Sequence, residues 1–475
     1  MIRVLVSLRE IFTHKRGFAK MIIRIVVENI YSFGDITEFS MIPGREQNLV
    51  EHKYKKRKFE LLKMAAIYGA NGAGKSNLIK IFGLLKQSVL DDRLPLEITK
   101  NVFKFQGDRK KGQLIAIEFF SNEKPYYYAI KIKDNVITDE ELYESGLGKK
   151  QDKLIYERKT NRNNKTTIKF NERIDKNEEV KIIKDVLTKE FTKPNATVLK
   201  LLADRENEKF TEIKEVYNWF KNNLKIIYPN SRINALAHRI EKEPELKKYI
   251  EDTIKTLDIG INNLQTETQK LDANTIGENS QSKEIIDNFL QKLEDKPDSI
   301  VGLRNKELDE IVILKENNEV KVKRLKLIHE TLNKNIDFYL GEESDGTKRL
   351  LDLIPAFMEL LIKDKVVVVD EIERSIHTVL IKELITKYSL NKQTKGQLIF
   401  TTHDSNLLDQ KIIRRDEVWF AEKNKEGKTK LYSLDEYKEH KTIDIRKGYL
   451  GGRYGSIPIL GKLHELNWNE YATNN

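Results

Sequence analysis

Apolar positions along this chain change their period several times, and the changes divide it. Residues 22–27 form a nearly unbroken apolar run and 36–41 a more broken one. The turn Ser32-Phe33-Gly34-Asp35 separates them, so two strands are expected. Residues 64–68 are apolar throughout, which predicts a strand buried on both faces. Helical spacing follows over 77–85. From 113 to 170 the runs 114–120, 126–132, 154–156 and 167–170, broken by polar turns at 121–124 and 161–164, predict an antiparallel meander. Between 177 and 296 the texture becomes charged, with helix-period stretches at 180–191, 206–223 and 244–257 and a polar loop at 271–282. Proline and glycine interrupt it too often for sustained heptads, so a helical insertion is expected, not a coiled-coil arm. Strands resume over 310–329. The last third alternates helix and strand (348–362, 365–370, 377–388, 397–401, 417–420), the texture of an α/β fold with a mostly parallel sheet.

Between the strand at 64–68 and the helix after it lies Gly69-Ala70-Asn71-Gly72-Ala73-Gly74-Lys75-Ser76, which matches G-x-x-x-x-G-K-[ST]. Strand, glycine loop and helix is the context that gives this motif meaning. Glycines let successive backbone N–H groups turn inward on a phosphate. The following helix presents its N-terminal donors to the same anion. Asn71, Gly72, Gly74, Lys75, Ser76 and Asn77 are therefore candidate nucleotide-binding residues. Lys75 is placed to reach the β- and γ-phosphates of ATP, and Ser76 to ligate Mg²⁺.

Residues 366–369 are four valines followed by Asp370 and Glu371. In open α/β folds ligands bind at the carboxyl ends of such strands. Asp370 is a candidate Mg²⁺ ligand and Glu371 a candidate base or orienter for the attacking water. The strand at 397–401 leads to His403, a second candidate catalytic residue. Upstream, Gly341-Glu342-Glu343-Ser344-Asp345-Gly346-Thr347-Lys348-Arg349 opens a long helix. Ser344 and Gly346 read as a second anion site facing another subunit.

Charge and composition change the picture only in part. The net charge is +11, with one basic run at 53–58 and a second basic region at 149–169 that includes Lys149, Lys150, Lys153 and Arg158. Nucleic acid is a possible partner on that basis. There is no cysteine, which excludes disulfides, thiolate zinc sites and a catalytic thiol and fits the cytoplasm. No apolar run approaches the ~20 residues needed to span a bilayer, so no membrane partner is expected. Residues 1–20 are basic apart from Glu10 and read as a loose extension, with the start at Met1 or Met21.

The ordered set of phosphate loop, Ser344-Asp345-Gly346-Thr347, Asp370-Glu371 and Thr401-Thr402-His403 resembles the ABC-type ATPase core shared by SMC proteins and the OLD family. Within it, Glu343 to Arg349, Asp370-Glu371-Ile372-Glu373-Arg374-Ser375-Ile376-His377 and Gly452-Arg453-Tyr454-Gly455 resemble the RloA/AbiLi-like ATP-binding proteins of phage-defence and abortive-infection loci. The resemblance implies an α/β fold: a P-loop ABC-type ATPase head with a mixed sheet, an antiparallel β-meander lobe and a helical insertion. It divides the chain into an extension (1–20), an N-terminal half (21–175), the insertion (176–305) and a C-terminal half (306–475). It also implies a homodimer that buries two ATP·Mg²⁺ between Lys75 and Ser76 of one protomer and Ser344 and Gly346 of the other. The output would be control of a companion toxin or nuclease. Asp345 departs from the usual Ser-Gly-Gly turn of the superfamily. Gln106 is the candidate for its glutamine loop, and Gly452–Gly455 reads as a structural turn. An SMC-type ATPase acting on DNA is the alternative, without the expected long arms. A nuclease within this chain is a weaker reading: Arg232 with His238, or Arg324 with His329, fit the spacing only loosely.

Overall fold

A computed structural model of the chain describes residues 20–457 apart from 57–58, 106–110, 177, 206, 272–290, 292–299, 305–309, 318, 331–333 and 438–443. Gln106, most of the extension at 1–20 and most of the loop expected at 271–282 lie outside the described residues. The contacts define two compact units. The first comprises 1–226, 363–372 and 385–475, and the second 227–362 and 373–384.

The first unit holds two large sheets. One is mixed, in the order Leu224–Ile227, Val366–Val369, Gln397–Thr401, Met64–Tyr68, Val418–Lys423, Thr429–Ser433. Met64–Tyr68 pairs in parallel with both Gln397–Thr401 and Val418–Lys423, and Val366–Val369 pairs in parallel with Gln397–Thr401. These central strands are buried along their length, as uninterrupted apolar runs require. The other sheet has seven strands in the order Thr166–Phe170, Lys153–Thr160, Val136–Glu144, Lys124–Lys133, Gln113–Ser121, Ile22–Glu28, Thr37–Ser40. All its pairings are antiparallel, as the meander pattern predicts. Buried Gln397 ties the two sheets together. Its Oε1 accepts from Ile22 N at 2.9 Å, and its Nε2 donates to Leu62 O at 3.0 Å.

The strand Val136–Glu144 escapes the sequence reading. It is acidic, and of its buried residues Ile137, Glu140 and Leu142 the first two are three apart, which mimics a helix. A register shift against Lys131 and Ile132 restores them to one face. Glu140 is fully buried yet well supplied with donors. Its carboxylate accepts from Tyr156 Oη at 2.7 Å, Tyr128 Oη at 3.2 Å, Val198 N at 2.8 Å and Leu199 N at 3.0 Å, and it faces Arg158 at 3.4 Å. Burial first, and this carboxylate second, hold both phenols well above their ordinary pKa. The cluster pins the helix Val198–Ala203 to the sheet through that helix's first N–H groups.

The second unit is a five-stranded antiparallel sheet with helices against it. Ile261–Lys270, Glu319–Glu330, Glu310–Glu316 and Ile300–Arg304 lie in that order, and Asn335–Tyr339 pairs with Glu319–Glu330. The helices are Leu236–Lys242, Pro244–Thr256 and Asp345–Ile362. Three strands therefore fall inside 176–305, where helices alone were expected: Leu224–Ile227, Ile261–Lys270 and Ile300–Arg304. In Ile261–Lys270 the two buried residues, Ile261 and Leu264, have helical spacing. A bulge between Ile261 and Asn263 puts both on one face of a strand.

Replacing Glu140 with alanine strips a buried cation and two phenols of their acceptor. The expected loss is about 3–5 kcal/mol of stability, read as a fall in the urea midpoint. Tyr156→Phe, which removes a single donor, is expected to cost about 1 kcal/mol.

Candidate functional site

The parallel register sets the site. Met64–Tyr68, Gln397–Thr401 and Val366–Val369 run side by side in one direction, so their carboxyl ends share one edge. The glycine loop, Thr402-His403 and Asp370-Glu371 follow those ends.

The loop starts at Gly69 (φ +154°) and ends at Gly74 (φ +108°), the residue that caps the helix Lys75–Leu90. A Cβ at Gly69 would collide with the Ala421 carbonyl, and one at Gly74 with Thr429 Oγ1, so both positions demand glycine. Asn71 and Gly72 form the exposed crest, and no atom lies within 4 Å of where a Gly72 Cβ would be. Lys75 is buried, and its ammonium donates to Gly69 O at 2.7 Å and Ala70 O at 3.2 Å. Asn77 is turned aside: its Nδ2 donates to Ser32 Oγ at 2.8 Å. Behind the loop, Thr429 Oγ1 donates to Ala73 O at 2.7 Å and lies 2.7 Å from Ser32 Oγ.

Ser76 and Asp370 meet. Ser76 Oγ donates to Asp370 Oδ1 at 3.0 Å across 294 positions of sequence. The same oxygen accepts from Thr401 Oγ1 at 2.6 Å. Thr401 Oγ1 in turn accepts Glu371 N–H at 2.8 Å. That bond steadies Glu371 in the left-handed region (φ +50°), a conformation costing on the order of 1–3 kcal/mol for a residue with a side chain. Sequence reasoning passed over Thr401, Ser32 and Thr429. For Thr401 the signal was available, because parallel register opposite Val366–Val369 puts it beside Asp370. Ser32 and Thr429 carry no local pattern.

One hydroxyl and one carboxylate side by side suit Mg²⁺, which takes one or two protein oxygens together with substrate phosphates. Among the described residues no group of three His, Cys, Asp or Glu could hold a metal on its own, and such a site needs none.

Ser344 and Gly346 belong to the second unit. Ser344 Oγ accepts Thr347 N–H at 3.1 Å at the start of the helix Asp345–Ile362. A Cβ on Gly346 would lie 2.7 Å from Ser375 O, so this turn packs on the one that follows Glu373. Ser375 is itself left-handed (φ +58°).

The basic regions are partly paired in three dimensions. Arg158 is fully buried against Glu140, Lys53 pairs with Glu60 at 2.7 Å, and Lys153 pairs with Glu144 at 3.0 Å. The nuclease pairs gain nothing either. Arg232 bridges Asp352 at 2.7 Å. Arg324 and His329 are five apart on one strand and so point to opposite faces.

A family model described as "AAA domain, putative AbiEii toxin, Type IV TA system" matches residues 64–409, from the first residue of the loop-bearing strand to beyond His403. The chain belongs to this family. No curated protein matches it. Among solved structures, this AAA-domain chain is similar to the SMC head domain from Thermotoga maritima (12% identity, 87% of this chain and 98% of that chain covered, TM-score 0.34). It is likewise similar to an SmcHead bound to the C-winged helix domain of ScpA (13%, 87% and 97%, TM-score 0.38). A third is the Smc head domain with an extended coiled coil bound to the C-terminal domain of ScpA derived from Pyrococcus furiosus (12%, 92% and 99%, TM-score 0.38). These likenesses are too remote to speak to activity. Among the described residues no helix is long and apolar enough to cross a membrane.

His403 is poised electrostatically in this AAA-domain chain. Partial burial lowers its pKa first and the Lys75 ammonium second, against the pull of Glu371 and Asp370. It is therefore neutral at pH 7, with one ring nitrogen an acceptor and the other a donor. NMR titration is expected to place His403 below the ordinary ~6.5 of a histidine. Lys75→Met should raise that value and Glu371→Gln should lower it further.

Proposed function

We propose that this protein is an ATPase whose catalytic pocket is completed by a second copy of itself. The Ser76–Asp370 hydrogen bond carries the reading, because it brings two distant motifs to one point. In this reading the N–H groups of residues 72–76 and the helix Lys75–Leu90 receive the phosphates of ATP. Lys75 balances the β- and γ-phosphate charge. Ser76 and Asp370 hold Mg²⁺, which neutralises charge on the phosphate oxygens. Glu371 orients water and takes its proton. His403 stands beside Glu371 and hydrogen-bonds the γ-phosphate or the water. Ser344 and Gly346 of the other protomer cap the γ-phosphate, so closure depends on ATP.

The output is control of a companion toxin or nuclease in anti-phage defence. The family's own description names a toxin of a toxin–antitoxin system. We read this chain's part in it as the ATPase, because the residues it brings together suit phosphate chemistry.

Glu371→Gln tests the reading. With MgATP it is expected to form a dimer that persists in sedimentation, with turnover reduced about 10²–10⁴-fold. A monomer that hydrolyses ATP at the wild-type rate would falsify the proposal.

A further inference from the structure

The serine turn at 341–347 is tied to the sheet of its own unit by a histidine that the chemistry above does not use. His329 lies near the end of Glu319–Glu330, the strand that pairs with both Ile261–Lys270 and Asn335–Tyr339. Its neighbours in register are Ile261 on one side and Ile336 on the other. Its ring meets that of Phe338 edge-on, with centroids 4.8 Å apart. Its Nε2 lies 2.6 Å from Oε1 of Glu343, the residue before Ser344. The Glu343 side chain is only 7% exposed, and among the described residues His329 is its one ionic partner. A carboxylate so withdrawn from water needs a donor, and the imidazole N–H supplies it. The other bonds of the turn come from its neighbours in sequence. Lys348 Nζ donates to Gly341 O at 2.8 Å, Lys348 N to Ser344 O at 3.0 Å, and Tyr339 N to Glu342 Oε2 at 2.7 Å. His329 is 14 positions from Glu343 and on a different strand, so of these contacts it is the one that fixes the turn against the sheet.

We propose that His329 is a positioning residue for the serine turn. It holds Glu343 so that Ser344 and the first N–H groups of Asp345–Ile362 keep their aim. The inference rests on the reading of Ser344 and Gly346 as the half-pocket lent to the twin. His329 touches no phosphate in that scheme; it acts through Glu343. A turn with Glu343 untied would have to be ordered at the moment of closure, and ordering costs entropy. The tie removes that cost beforehand. It acts on the half-pocket and not on the glycine loop, so it governs turnover and leaves the first binding of nucleotide unchanged.

His329→Leu keeps an apolar body against Phe338 and removes the donor, whereas His329→Gln keeps an N–H at similar reach. Without nucleotide, hydrogen exchange of the peptide spanning residues 340–347 should accelerate about tenfold in His329→Leu, the weight of one hydrogen bond to a charged group. It should return to the wild-type rate in His329→Gln. The kcat for ATP should fall by about the same factor in His329→Leu and recover in His329→Gln. The Kd for MgATP of dilute protein should stay at the wild-type value in both. Lys326→Met breaks the contacts of that strand with Glu267 (3.0 Å) and Asp337 (3.6 Å) and should match wild type in all three measurements. Unchanged exchange or unchanged kcat in His329→Leu, no rescue by His329→Gln, or an equal effect of Lys326→Met overturns the proposal. A wild-type protein without ATP turnover contradicts the half-pocket reading instead, and the exchange result still decides whether His329 holds the turn.

Discussion

Asp370 is the point on which the site turns. Its Oδ1 receives one hydroxyl from Ser76, at the start of the loop helix, and another from Thr401, at the end of the neighbouring strand. Three segments distant in sequence are thereby fixed within hydrogen-bonding reach of one oxygen. Nothing in local sequence imposes this. It follows from parallel strands ending at one edge, and those strands are held parallel by burial on both faces. A buried carboxylate needs such donors, because its desolvation is otherwise uncompensated. The bond from Glu371 N–H to Thr401 extends the same network to the strained residue beside it. In the proposed ATPase the acid pair would thus be set before any phosphate arrives, as electrostatic catalysis requires.

What could be read in the sequence was chemistry with a short reach. The loop needs glycines and a lysine at fixed spacing, and Gly69 and Gly74 turn out to sit where a Cβ would collide. The valine run ending in Asp370 announced a central parallel strand and became one. Two of the failures share a physical cause. Val136–Glu144 and Ile261–Lys270 contain bulges, and a bulge shifts strand periodicity until it imitates a helix. The contact of Ser32 with Thr429 spans 397 positions, so it leaves no local trace. The charge count could not tell that Arg158 serves a buried carboxylate and not the surface.

The two compact units divide the candidate residues. Loop, acids and His403 lie in one, and Ser344 and Gly346 in the other. In the second unit the serine turn packs on Ser375, within the segment that follows the acid pair. The account assigns that turn to the pocket of a twin, where helix N–H groups and a hydroxyl would meet the γ-phosphate. ATP would then act as a bridge, and hydrolysis would release it.

Mixing two crippled chains tests this sharing most directly. Lys75→Ala damages the loop half of a pocket and Ser344→Arg the half lent to the twin. Each variant alone should hydrolyse no ATP. Mixed in equal amounts they should recover about a quarter of wild-type turnover, since half the dimers are mixed and each of those contains one whole pocket. Correctly folded variants that stay inactive on mixing, or a Ser344→Arg protein that hydrolyses ATP normally by itself, would contradict the account.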